Sequence, residues 1–214
     1  MTPYSAFSMD QRQQVLTSLR QLCRLFWGPD IGQSREILEG RFFESFCAAT
    51  NPVASSFSPA LQEIQAYTRR FFDPEGLYRA LETTYVRLFV SSRGGIAVPL
   101  YQSCYALEGA SLMGPSAVDM QRRLKAVELN MAGHAAGEPP DHLAIELEYL
   151  YFLLEKGWAG DNKAYLDTAQ HFAAETLGAW IDAFTQRLGQ SPDPAVYAPA
   201  AGFTAALIRI IAQG

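Results

Sequence analysis

Residues 136–154 read AGEPPDHLAIELEYLYFLL. Leu143, Leu147, Leu150, Tyr151 and Leu154 recur at the 3.6-residue period of a helix with one buried face. The spacing predicts a helix over Pro139–Lys156. Pro139 or Pro140 would take its first position, where a missing N–H costs nothing. Glu138 and Asp141 would then lie in or beside the first turn, where the helix dipole favours negative charge. His142 is the residue that capping does not explain. On a helix it shares a face with Glu146, four residues on, and a helical Glu138 would join them. The positive helix end disfavours imidazolium, so the ring is expected to be a neutral donor or acceptor; Asp141 beside it pulls its pKa the other way.

The same period recurs outward from this stretch. Val15, Leu16, Leu19, Leu22, Cys23 and Phe26 form a stripe, preceded by Ser8 and Gln11 in capping-box spacing. Ile37, Leu38, Phe42, Phe43 and Phe46 predict one further helix, ended by TNPVASSFSP (50–59). Ser58–Pro59 and Asp73–Pro74 each open another. Residues 91–100, SSRGGIAVPL, read as a loop, followed by a short helix near Gln102. Pro115–Met131 reads as a helix with Val118, Leu124 and Val127 inward. Residues 161–188 make one or two helices, and Ala200–Ala212 the last. No strand alternation competes and no repeat is visible. The expected class is all-α, with roughly eight to ten helices. The chain is expected to form one domain over 1–214, with possible substructure at 1–90 and 101–214 joined by the 91–100 loop.

Composition narrows the function. With 214 residues and 49% apolar content the chain can bury a sizeable core. A net charge of −5 argues against nucleic acid, whose phosphates want a basic face. No run reaches the ~18 apolar residues of a membrane span, and the N-terminus lacks the basic-then-apolar order of a signal peptide. The three cysteines are scattered, with no CxxC pair, which fits a reducing cytosol.

Enzyme signatures are mostly missing. RGGIAVP has glycines but no phosphate-loop lysine, and no GxSxG elbow occurs. Helical phosphohydrolases built on a His-Asp pair need further histidines. Here the order is Asp-His, and only His134 and His171 remain. Ser103 and Cys104 have no local base. An enzymatic alternative is a helical metal- or nucleotide-dependent hydrolase using the Asp141, His142 and Glu146 face, although a metal wants three or more fitted ligands. The stretch LFVSSRGGIAVPLYQSCY (88–105) leaves two readings open. Tyr101 and Tyr105 share a face if helical, beside an apolar loop suited to capturing a peptide; equally, the rings would plug the core beneath the loop.

Two stretches together carry a resemblance. YVRLFV…VPLYQSCY (85–105) resembles Y-x-x-L-F, a glycine- and proline-rich loop, then P-x-(W/Y)-x-S-x-(Y/W). EPPDHLAIELEYLYFLL resembles E-P-x-D-H-x-x-x-E-L-x-(F/Y)-(L/M). In this order and separation they resemble the TorD/DmsD/NarJ family of cytoplasmic molybdoenzyme chaperones. A weaker match is F-x-x-x-x-L-x-x-W at Phe172–Trp180. The chain departs from the family at Gln102, often glutamate, at Thr176, commonly histidine, and at Tyr101, tryptophan in some members.

The resemblance implies a TorD-like helical bundle and no catalysis; with so few candidate ligands, no resident metal is expected. It implies a cytoplasmic chaperone, of use in anaerobic respiration, that binds the twin-arginine signal peptide of an apo-molybdopterin oxidoreductase. Such a chaperone assists cofactor insertion and prevents premature Tat export. Guanine nucleotide has been linked to some members, and a homodimer is a further implied partner. Glu138, Asp141, His142 and Glu146 are the expected polar recognition residues. Tyr85, Leu88, Phe89, Pro99, Tyr101, Ser103 and Tyr105 are expected to complete the peptide site. The two stretches are therefore expected to converge on one surface.

Overall fold

The computed structural model of the protein describes residues 7–48, 51–52, 54, 58–91, 94–106 and 112–213. Parts of the expected breaks at 50–59 and 91–100 lie outside the described residues. Among those described there are eleven α-helices and no strand. They are α1 (Met9–Trp27), α2 (Ile31–Leu38), α3 (Glu44–Cys47), α4 (Ser58–Thr68), α5 (Pro74–Tyr85) and α6 (Ser103–Ala106). Then come α7 (Pro115–Ala126), α8 (Leu143–Ala159), α9 (Lys163–His171), α10 (Ile181–Gly189) and α11 (Tyr197–Gln213). None is long and apolar enough to cross a membrane.

Local chemistry sets several helix starts. At α1 the Ser8 hydroxyl accepts from the Gln11 N–H at 3.2 Å, and the Gln11 side chain accepts from the Ser8 N–H at 2.8 Å. Asp73 caps α5 by accepting from the Gly76 N–H at 2.8 Å, with Pro74 next in the chain. Asp30 does the same for α2 through the Gln33 N–H at 2.7 Å.

α8 lies at the centre, packed along α1 on one side and α9 on another, while α11 packs against α10, α4 and α9. Its first turns are buried nearly all round, from Leu143 through Leu147. Gly157 lets α9 approach: a Cβ there would sit 2.4 Å from Leu166 Cδ2. Leu88 and Phe89, on a π-helical turn that extends α5 over Val86–Val90, are core residues. The Phe89 ring meets Phe26, Tyr85, Phe184 and Tyr197.

Three sequence expectations are corrected. The 37–46 segment is not one helix: α2 ends at Leu38, and Gly40 takes a left-handed φ of 78° that turns the chain before α3. Val118 points outward, at 56% exposure, while Ala117, Met120 and Leu124 face the core. Residues 118 and 124 are six apart and cannot share a face, whereas 117, 120 and 124 can. Finally, α8 begins at Leu143 and not at the prolines. Pro140 disfavours helical backbone at Pro139, and a turn closed by the His142 N–H on the Pro139 carbonyl (3.1 Å) precedes the helix.

Candidate functional site

The start of α8 is made by a partner far away in sequence. Residues 100–102 run beside 141–143 as an isolated antiparallel bridge between Tyr101 and His142. The Leu143 N–H donates to the Leu100 carbonyl at 2.7 Å, and the Gln102 N–H to the Asp141 carbonyl at 3.0 Å. Asp141 Oδ2 accepts from the Ser103 N–H at 2.8 Å, so this acid caps the short α6 instead of α8. The Tyr101 hydroxyl donates to Glu138 at 2.7 Å and ties the rim of the same corner.

His142 is the cap of α8. Its Nδ1 accepts from the Ala144 N–H at 3.2 Å, which requires that nitrogen to be unprotonated. The ring stacks on Trp27 (centroids 4.8 Å apart, planes 11° apart) and takes Tyr101 edge-on at 5.2 Å. Burial lowers its pKa from 6.5 to about 4. The expected neutral histidine is therefore present as an acceptor.

Glu146 has no exposed surface, and its Oε2 accepts from the Trp180 indole N–H at 3.1 Å. Burial pushes its pKa well above the usual carboxylate range; the Trp180 bond works against that, and the charge of Asp141 adds to it. Glu146 Oε1, Asp141 Oδ1 and Ser103 Oγ are buried without a hydrogen-bond partner. Two buried carboxyls with no cation bonded to either are costly unless one keeps its proton. The surroundings of Glu146 favour its protonated form.

The two sequence stretches thus meet, but most of the expected site residues face inward. Leu88, Phe89, Pro99, Ser103, Asp141, His142 and Glu146 are buried, whereas Tyr85, Tyr101, Tyr105 and Glu138 keep part of their surface. The Tyr85 and Tyr105 hydroxyls donate to the Phe26 and Pro99 carbonyls at 3.0 and 2.8 Å. The plugging role of these rings is therefore visible. Glu138, expected on the face of His142 and Glu146, lies before the helix and reaches that corner only through Tyr101. With Nδ1 of His142 and Oε2 of Glu146 both engaged, the hydrolase face presents no open ligand set to solvent. Among the described residues no group of three His, Cys, Asp or Glu side chains is placed to hold a metal.

Sequence reasoning missed Trp27 and Glu148. The exposed Glu148 accepts from the Trp27 indole N–H at 2.7 Å. Beside them is an open hollow of about 540 Å³, lined also by Asp30 and by Ala132, Gly133 and Ala135. The available signal was modest: a tryptophan directly before Gly28-Pro29 at a helix end, and a glutamate off the apolar stripe of α8.

This all-α arrangement is shared by a solved structure described as a redox enzyme maturation protein. A crystal structure described as such a protein, from Archaeoglobus fulgidus, superposes with a TM-score of 0.54 at 20% identity, covering 92% of this chain and 94% of that one. Residues 50–186 match the family model described as nitrate reductase delta subunit. The chaperone protein TorD of Vibrio cholerae serotype O1 (strain M66-2) is 32% identical over 148 residues, 65% of this chain and 64% of the relative. TorD of strain ATCC 39541 is 30% identical over 162 residues, 72% of this chain and 70% of the relative. TorD of Aliivibrio fischeri is 26% identical over 215 residues, 98% of this chain and 96% of the relative. The chain belongs to the TorD/NarJ chaperone family, the family of the nitrate reductase delta subunit.

Proposed function

We propose that the protein is a cytoplasmic chaperone for a molybdopterin-containing oxidoreductase. It binds the client's twin-arginine signal peptide, holds the apo-enzyme while the cofactor is inserted, and delays export through the Tat translocon. One observation carries this reading: the two stretches on which the family resemblance rests pack against each other at the Tyr101–His142 bridge. The bridge lies beside an acidic rim, with Glu138 bonded to Tyr101 and Glu148 to Trp27, where the end of α1 meets the start of α8. Such a rim suits the two arginines of a leader. In this reading the rim meets the peptide, while Asp141, His142 and Glu146 hold the rim in place from beneath.

Calorimetry against the leader of a candidate client, with a leader carrying two glutamines for the arginines as control, tests the reading. Charge-assisted bonds to the arginines predict a loss of affinity of about tenfold or more in the control. Equal affinity for both leaders, or none for either, would reject it.

A further inference from the structure

We infer that the peptide's cationic side chain seats in the hollow beside Trp27 and Glu148, and that a nearby apolar side chain seats in the adjoining hollow against α7 and α8. The inference rests on the proposed function for the ligand being a peptide, but the place comes from the hollows themselves.

The first hollow, of about 540 Å³, lies within the usual ligand-pocket range of roughly 300–1,000 Å³. Its wall holds the indole of Trp27 and two carboxylates, Asp30 and Glu148. Among the described residues Arg24 also reaches it, but Glu36 neutralises that guanidinium at 2.7 Å. The remaining field therefore favours a positive guest, and an indole beside carboxylates suits a guanidinium, which stacks and hydrogen-bonds at once. Stacking on the buried His142 holds the indole in place, so little is lost in ordering it. Small residues at 132, 133 and 135 leave room for the planar group.

The second hollow, of about 260 Å³, shares Ala132, Ala135 and Glu148 with the first. The rest of its wall is mainly apolar, with Leu129, Met131, Ile145 and Phe152. It is large enough for an aliphatic side chain. Alternate side chains of an extended peptide point the same way about 7 Å apart. A cation and an apolar residue a short step apart would thus fill both hollows, with Glu148 between them. None of the described residues of 85–105 lines either hollow.

The test is a double-substitution cycle by calorimetry on the full chain, with thermal melts confirming that each variant is folded. The probes are the wild-type leader and leaders with glutamine at each arginine or alanine at each apolar position. Glu148→Gln is expected to weaken wild-type leader binding by about tenfold, as for the loss of one charge-assisted bond. It should have little further effect on a leader that already lacks the matching arginine. Met131→Gln is expected to weaken binding only for leaders that keep the matching apolar residue. Glu155→Gln, farther along α8, is the control and should leave affinity unchanged. If the wild-type chain binds the leader and discriminates the arginines, but Glu148→Gln and Met131→Gln bind like wild type, this placement is overturned while the proposed function stands. If the wild-type chain binds no leader, both fall.

Discussion

Glu146 and Glu148 are two residues apart on one helix, each bonded to a tryptophan, yet they do opposite things. Glu146 is sealed inside against Trp180, with burial holding its proton. Glu148 stands in solvent against Trp27, on the wall of two hollows. A step of two residues on a helix turns by about 200°, which carries a side chain from one face to the other. The pair teaches that a carboxylate within a family-like motif can face the core while one at an unspecified position two residues on faces out. The inner acids organise the corner; the outer ones are what a ligand would meet.

Acid is the strongest way to break the inner half. The folded pKa of His142, about 4, lies below the ordinary 6.5, so the unfolded chain takes up this proton first. The stability tied to the neutral ring is complete above the ordinary value. It falls as pH drops towards the folded value, and then levels off. A shift of this size corresponds to about 3 kcal/mol. Urea denaturation between pH 7 and 4, with His142→Gln as a reference lacking that proton, measures it; parallel curves would show that the ring is not buried neutral.

Next in size is Asp141→Ala, which removes the bond to the Ser103 N–H while the backbone bridge between 100–102 and 141–143 remains. The expected loss is about 2 kcal/mol, the scale of a buried donor left unpaired. Denaturation midpoints would read it, and a change under about 0.5 kcal/mol would place Asp141 among ordinary surface acids. A smaller effect is expected for Glu146→Gln, because an amide replaces a protonated carboxyl and still accepts from Trp180. Near pH 4, where the carboxyl is largely neutral in the folded and the unfolded chain alike, the change should be within about 1 kcal/mol. Since the folded pKa of Glu146 is raised, the wild-type chain loses stability as pH climbs from the usual carboxylate range towards that value. The glutamine variant should lack that decline, which a pH series of melts would resolve. Smallest of all is Glu148→Gln, where an exposed bond should alter stability by no more than about 0.5 kcal/mol. A large fall in its melting temperature would erase the contrast between the two glutamates.

Much of this was legible in the sequence. The Ser8–Gln11 and Asp73–Pro74 helix starts form as their spacing predicts, because the caps act within three residues. The all-helical class follows from stripes such as Val15 to Phe26. The meeting of the two family-like stretches was anticipated, but which way each residue faces was not. The amphipathic reading assumes one buried face, whereas the first turns of α8 are buried nearly all round, so Asp141, His142 and Glu146 all point into protein. Trp27 escaped notice because its partners, His142 and Glu148, lie more than a hundred residues away and leave no local trace.

The bridge at Tyr101 also bears on the order in which the chain folds. α8 can propagate from its own apolar contacts, but its first turn is capped by a histidine whose backbone is held by residues 100–102. Closing that long loop costs entropy before the cap repays it. The start of the chain's central helix is therefore expected to lock late, after the body of the same helix. The Leu143 and Ala144 amides, one bonded across the bridge and the other to the imidazole, should exchange with solvent together whenever the bridge opens. Their protection would time that opening in the free protein, with no ligand present.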